Sequence, residues 1–281
     1  MLRTSLICAV IFFGFQADTP DPANPDPDSP RPIEALDTVF IEEMTWMEVR
    51  DALALGTDTV IVATGGIEQN GPYLATGKHN YVLRGATEVI ARQMGNALVA
   101  PIVPFVPEGD FDPPTSHMRY PGTIGVSEET FRALLTDICR SLEIHGFRRI
   151  ILIGDSGGNQ AGMKVVAEQL SATWQERGSD TRIRYVPEFY DYAELGEWLE
   201  SMGVHQQPEG YHDDFGMTAM IMSVDQDAVR TRQRIRARRF SINGINLAPV
   251  NKTIRWGEAI FQHRAEKTIA GIEKAFQQES Q

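Results

Sequence analysis

The sequence predicts an α/β fold, a three-layer sandwich with a mainly parallel central sheet. Three observations carry that expectation. Two apolar runs, residues 59–64 and 149–154, each lead straight into a glycine-rich loop, as buried strands do. Segments with apolar residues at helical spacing lie between such runs, and strands alternating with helices build a covered parallel sheet. The chain has 281 residues and is 42% apolar, enough for a full core.

The N-terminus reads as a leader. Met1-Leu-Arg-Thr carries a basic residue, and residues 5–15 form an apolar run. That run is shorter than the roughly 20 residues a membrane span needs. Residues 1–17 are therefore expected to be a signal peptide. Residues 18–32 alternate proline and aspartate, a composition that forms neither helix nor ladder, and read as an extended tether. The expected folded domain is 33–281, on an exported protein, periplasmic or secreted, with no membrane attachment after cleavage. Loss of the leader removes Cys8 and leaves Cys139 without a disulfide partner, so it reads as a core thiol.

Within the domain, 59–64 is the first strand. Residues 80–94 place Val82, Leu83, Ala86, Val89, Ile90 and Met94 on one helical face. Residues 97–105 form a strand made irregular by its prolines. A helix over 128–145 has Ser127 as N-cap and stops at Gly146. Strand 149–154, helix 161–175, strand 181–186 and helices 218–224 and 256–276 complete the chain. The net charge of −12 argues against nucleic acid and anionic membranes as partners, and a small-molecule substrate is expected. The basic run 230–239 reads as a solvated face or a subunit contact.

Sites in such folds lie outside the carboxyl ends of the strands. Loops 65–80 and 154–160 are thus expected at one edge, which makes Glu68, His79, Asp155 and Ser156 one constellation. Gly154-Asp-Ser-Gly-Gly158 reproduces the string around the nucleophile of chymotrypsin-like serine proteases. A nucleophilic serine also needs a histidine and an acid. The Ala-Ala-His-Cys context of that family is absent, and helix–strand alternation does not suit its all-β fold. Another kind of serine hydrolase, with Ser156 as nucleophile and His79 or His212 as base, stays an alternative.

Four motifs in order resemble the creatininase family of metal-dependent amidohydrolases. Its Gly-Ser-x-Glu-Gln-His-Gly-Pro-His-Leu-Pro-Leu-Gly-Thr-Asp stretch is similar, without a gap, to Gly65-Gly-Ile-Glu-Gln-Asn-Gly-Pro-Tyr-Leu-Ala-Thr-Gly-Lys-His79. A histidine followed by Phe-Pro-Gly-Thr-Ile is matched by His117-Met-Arg-Tyr-Pro-Gly-Thr-Ile124. Asn-Gly-His-Gly-Gly-Asn is matched by Gly154-Asp-Ser-Gly-Gly-Asn159 after a strand. His-Ala-Gly with Glu-Thr-Ser is matched loosely by His212-Asp-Asp-Phe-Gly-Met-Thr-Ala219. The likeness runs from about residue 40 to 225.

The resemblance implies a creatininase-like fold, hydrolysis of a C–N bond in a small and perhaps cyclic amide, and a homo-oligomer, commonly a hexamer. It retains the metal-ligand glutamate as Glu68. The ligand histidine becomes Asn70, the bridging aspartate His79, the histidine before Gly-Gly-Asn Ser156, and the acid of Glu-Thr-Ser Met217. The expected metal set is therefore Glu68, His79, Asp155, His212 and Asp213, and the expected catalytic set His212, Asp155, Ser156 and His117. Carboxylate and imidazole suit Zn²⁺ or Mn²⁺. An imidazole bridges no pair of ions as a carboxylate does, so one metal per subunit is expected. The same losses support an alternative, a non-catalytic binding or assembly module on the family fold.

Overall fold

The computed structural model describes residues 23–277. The expected leader, 1–17, and residues 18–22 of the tether lie outside them. The chain divides after Glu34 into two units. In the first, residues 23–34 contain turns and extended chain without helix or strand.

The second unit is an α/β sandwich. Helix α1 (Trp46–Ala54) starts at a reciprocal cap, in which Thr45 and Glu48 each bond the other's backbone N–H. Then come strand β1 (Thr59–Thr64), helix α2 (Lys78–Met94), strand β2 (Ala97–Val99) and helix α3 (Glu128–Ile144). Ser127 caps α3 by accepting from Thr130 N–H at 3.1 Å, and Gly146 turns the chain away at φ +104°. Strand β3 (Arg149–Gly154), helix α4 (Gln160–Glu176), strand β4 (Arg182–Tyr185), helix α5 (Tyr192–Ser201) and helix α6 (Phe215–Val224) follow. A short helix α7 (Thr231–Arg236) and a hairpin of β5 (Ser241–Ile242) and β6 (Ile245–Asn246) precede the long closing helix α8 (Val250–Gln277).

Strands β1–β4 form one parallel sheet in the order β2-β1-β3-β4. Side chains alternate faces along a strand, and the two cores follow that alternation. Ile61, Ala63, Ile151 and Ile153 pack with α2, α6 and α8, while Val60, Val62, Ile150 and Leu152 pack with α3 and α4. Val49, Ala52 and Leu53 of α1 close against the second core.

The differences from expectation have local causes. Strand β2 ends at Val99 because Pro101 breaks the ladder, leaving one bridge between Thr64 and Val103. Helix α2 starts at Lys78 rather than Asn80, and α8 at Val250 rather than Trp256. Helices α1, α5 and α7 were not legible as such. In the basic run, Arg234 is buried with its guanidinium 4.3 Å from the Tyr73 ring, while its arginine neighbours are exposed. Cys139 lies in the core, where burial pushes its thiol up to about 12.

Candidate metal and catalytic site

Strands β1 and β3 run side by side to the same edge, with Thr64 opposite Gly154. The loop after β1 and the loop after β3 therefore rise together. Asn159 ties them, its side-chain amide donating to Thr64 O at 3.1 Å and Gly65 O at 2.8 Å. The Gly-Gly pair serves close approach. A Cβ on Gly65 would meet Asn80 Oδ1 at 1.9 Å, and one on Gly66 would meet Glu108 Oε1 at 2.6 Å.

Glu68 is the centre, 1% exposed. Its Oε1 lies 2.9 Å from His79 Nε2, 3.0 Å from His212 Nε2 and 3.2 Å from Lys78 Nζ. Its Oε2 faces His117 Nε2 at 3.3 Å. Burial alone would raise its pKa, but the hydrogen bonds from His212 and His79, with the His79 and Lys78 charges, hold it well below the usual carboxylate range.

Behind Glu68 lies a second row. His79 Nδ1 bonds Asp155 Oδ2 at 2.8 Å, so each ring nitrogen faces a carboxylate oxygen. Burial opposes the imidazolium, yet the bonds to Asp155 and Glu68 raise the His79 pKa. Asp155 Oδ1 accepts from Tyr192 OH at 2.7 Å and from Arg264 Nη2 at 3.0 Å. Arg264, fully surrounded, also donates to Phe189 O at 2.7 Å. Burial opposes the Asp155 charge, but the Arg264 guanidinium and the His79 bond lower its pKa.

In front of Glu68 the ligand atoms of Glu68, His117 and His212 all lie within 4.8 Å of one another, a group able to hold a metal ion. His117 and His212 rings sit 4.9 Å apart. This cluster opens on a cavity of about 410 Å³ that Glu108, Ser156, Gly157 and Gly158 also line. Glu108 is buried with its Oε1 lacking a partner among the described residues; burial, and then the charge of Glu68, push it up to about 8.

The expected residues thus fall into three places. Glu68, His212 and His117 form the ligand-type cluster. His79 and Asp155 join it through Glu68 but spend their polar atoms on each other and on Arg264 and Tyr192. Asp213 lines a neighbouring cavity of about 300 Å³ with Lys78 and Tyr211. Its two oxygens lie 3.0 and 2.9 Å from Thr218 Oγ1, and burial pushes it up to about 7. Asp214 caps α6, accepting from Met217 N–H at 2.6 Å. Ser156 lines the first cavity, and no hydrogen bond joins its side chain to a histidine among the described residues. Asn70 turns its amide to Glu68 O and Ala75 O, at 2.9 and 3.1 Å, and braces the loop.

Sequence reasoning passed over Lys78, Glu108, Tyr192 and Arg264. Arg264 carried a signal: it falls on the buried stripe of α8 between Ile260, Phe261 and Thr268, where an unpaired charge is costly. Nothing local marked Glu108, which reaches Glu68 only through the fold.

The family model described as Creatininase, creatinine amidohydrolase, matches residues 42–272. The creatinine amidohydrolase of Pseudomonas putida is 27% identical over 203 residues, 68% of this chain and 74% of that protein. The 3-dehydro-scyllo-inosose hydrolase of Thermotoga maritima is 29% identical over 119 residues, 42% of this chain, and the match spans only 36% of that relative. A crystal structure of creatininase aligns with a TM-score of 0.62 at 20% identity, covering 87% of this chain and 98% of that one. A mutant creatininase described as Zn-Zn type aligns with a TM-score of 0.58 at 19% identity, over 87% of this chain and 99% of that one.

Proposed function

Because the chain belongs to the creatininase family of hydrolases, we propose that it is a metal-dependent hydrolase that cleaves a C–N bond in a small polar molecule. One divalent ion, Zn²⁺ or Mn²⁺, would be held by Glu68, His117 and His212. The observation that carries this reading is the convergence of those three ligand atoms within 4.8 Å at the mouth of a cavity. One carboxylate with two imidazoles is the donor set of open catalytic zinc sites. Glu108 stands beside Glu68; burial, helped by the charge and hydrogen bond of Glu68, pushes it up to about 8, and a cation there would offset the repulsion that arises once both are ionised.

A divalent ion bound there supplies Lewis acidity, which acidifies water and polarises a carbonyl. The chain's own groups do the rest. His79 and Lys78 fix the Glu68 carboxylate from behind. Glu108, which lines the cavity and is pushed up to about 8, is the candidate for carrying a proton to the leaving nitrogen. Gly157 and Gly158 line the same cavity, and their backbone N–H groups are the candidates for stabilising an oxyanion. Cavity volumes of about 410 and 300 Å³ suit a small substrate.

The test is elemental analysis of the purified chain, with turnover on a panel of small amides and lactams before and after chelation. One equivalent of metal is expected, with turnover lost on chelation and regained on metal addition. No metal, no turnover and unchanged stability would leave the non-catalytic module as the reading. Export and self-assembly are separate proposals. Protein recovered outside the cytoplasm is expected to begin near residue 18, and Met1 at its N-terminus would end the export reading. Sedimentation at one subunit mass would end the homo-oligomer reading.

A further inference from the structure

Lys78 opens α2 directly before His79 and is 3% exposed. Its Nζ lies 3.2 Å from Glu68 Oε1 and donates to His212 O at 3.0 Å. One ammonium therefore ties the loop after β1 to the loop before α6. Burial lowers the Lys78 pKa, and the charges of Glu68, Asp155 and Asp213 work against that loss. A buried ammonium is expensive, and a neutral side chain of the same volume would spare the cost. Its position shows what the cost supports. Glu68 Oε1 already receives Lys78 and His79, which take its two lone pairs, so none on that side is left for a second metal ion.

The other donors such an ion would need are spent or weak. Both nitrogens of His79 face carboxylates. The Asn70 amide nitrogen is turned to backbone carbonyls, which leaves only its Oδ1, a weaker ligand than the imidazole the resemblance implies, and Met217 lines the cavity wall without a carboxylate. We propose that Lys78 is the site's built-in second cation, its ammonium occupying the Tyr211–Asp213 side of Glu68 where a second divalent ion would have to bind, and so holding the site to one metal. The inference rests on the reading that Glu68, His117 and His212 bind a metal. In it Lys78 is a positioning residue: it fixes Glu68 and sets the charge beside the ion.

Charge removal separates this role from a merely structural one. Lys78→Met keeps the stem volume and deletes the charge, Lys78→Arg keeps the charge, and Lys78→Thr with His79→Asp exchanges the cation and imidazole for a neutral group and a carboxylate. Zn²⁺ equivalents and affinity are measured for the full chain and each variant by elemental analysis and titration. The full chain and Lys78→Arg are expected to hold one equivalent. Lys78→Met is expected to bind Zn²⁺ at least about tenfold tighter, because a like charge has left, and the double variant to take up a second equivalent. Two equivalents in the full chain would overturn the proposal and leave the metal hydrolase standing. So would weaker binding in Lys78→Met, which marks a brace. No metal in the full chain would end both, whatever the double variant takes up.

Discussion

Glu68 has two neighbourhoods that differ in one respect, whether polar atoms are satisfied. Behind it, Asp155, His79, Tyr192 and Arg264 form a closed set. Asp155 is 0% exposed and accepts from three side chains, and both nitrogens of His79 are used. In front of it, Glu108 Oε1 and His117 Nδ1 are buried without a partner among the described residues, and the His212 side chain is 48% exposed. A buried polar atom left unpaired costs about 1–3 kcal/mol, so such atoms persist where something else completes them. We therefore propose the closed row, although His79, Asp155 and Tyr192 also line the smaller cavity, as scaffold and the open row as the working face.

The largest effect should come from breaking the closed row. Arg264→Met leaves the Asp155 carboxylate buried beside a smaller set of donors, and removal of one partner from a buried pair costs about 3–5 kcal/mol. Urea denaturation of the variant reads that loss. A change under about 1 kcal/mol would show that the row is not structural. On the open row, His117→Ala should weaken Zn²⁺ binding by at least about 100-fold and abolish hydrolysis, with only a small shift in stability, because the removed ring lies in a loop beside the cavity. A variant that unfolds at its metal-free midpoint far below the parent would erase the contrast between the rows.

The comparison also predicts a pH profile. The Asp155 pKa is lowered, so its contribution is complete above the ordinary carboxyl value of 3.8 and is lost as pH falls through the folded value. The His79 pKa is raised, so its contribution is complete below the ordinary imidazole value of 6.5 and is lost as pH rises through the folded value. The metal-free chain should therefore be most stabilised by this pair between those two values. Melting temperature against pH should show a dome, and Asp155→Asn should flatten it on both sides. An unchanged dome would place the titration elsewhere. The smallest effect is expected at Ser156. Without a histidine on its hydroxyl, Ser156→Ala should change turnover by less than about tenfold, and a complete loss would restore the serine-hydrolase reading.

Much of this was legible in local pattern. The strands at Thr59–Thr64 and Arg149–Gly154, the Ser127 cap and the Gly146 stop depend on neighbours in sequence. So does the expectation that Glu68 and Asp155 share an edge, because parallel strands present their carboxyl ends together. The expected grouping of His79 with Glu68 as ligands came from the shared strand edge and from the family resemblance. Spacing could not reveal that Asp155 and Glu68 would each take one nitrogen of the ring, nor that His117, from a loop after β2, would stand on the far oxygen of Glu68.

The sequence by itself determined the layers, the sheet edge and the loop that carries Glu68, since apolar period, caps and glycine stops act over a few residues. Only the tertiary structure decided which side chains of that edge are spent on one another and which stay open. Arg264 comes to Asp155 across 109 positions, and His212 to Lys78 across 134. At such separations no local preference specifies the pairing. It follows from packing α8 and α6 against α2, which sets the distances at which charge and hydrogen bonding act.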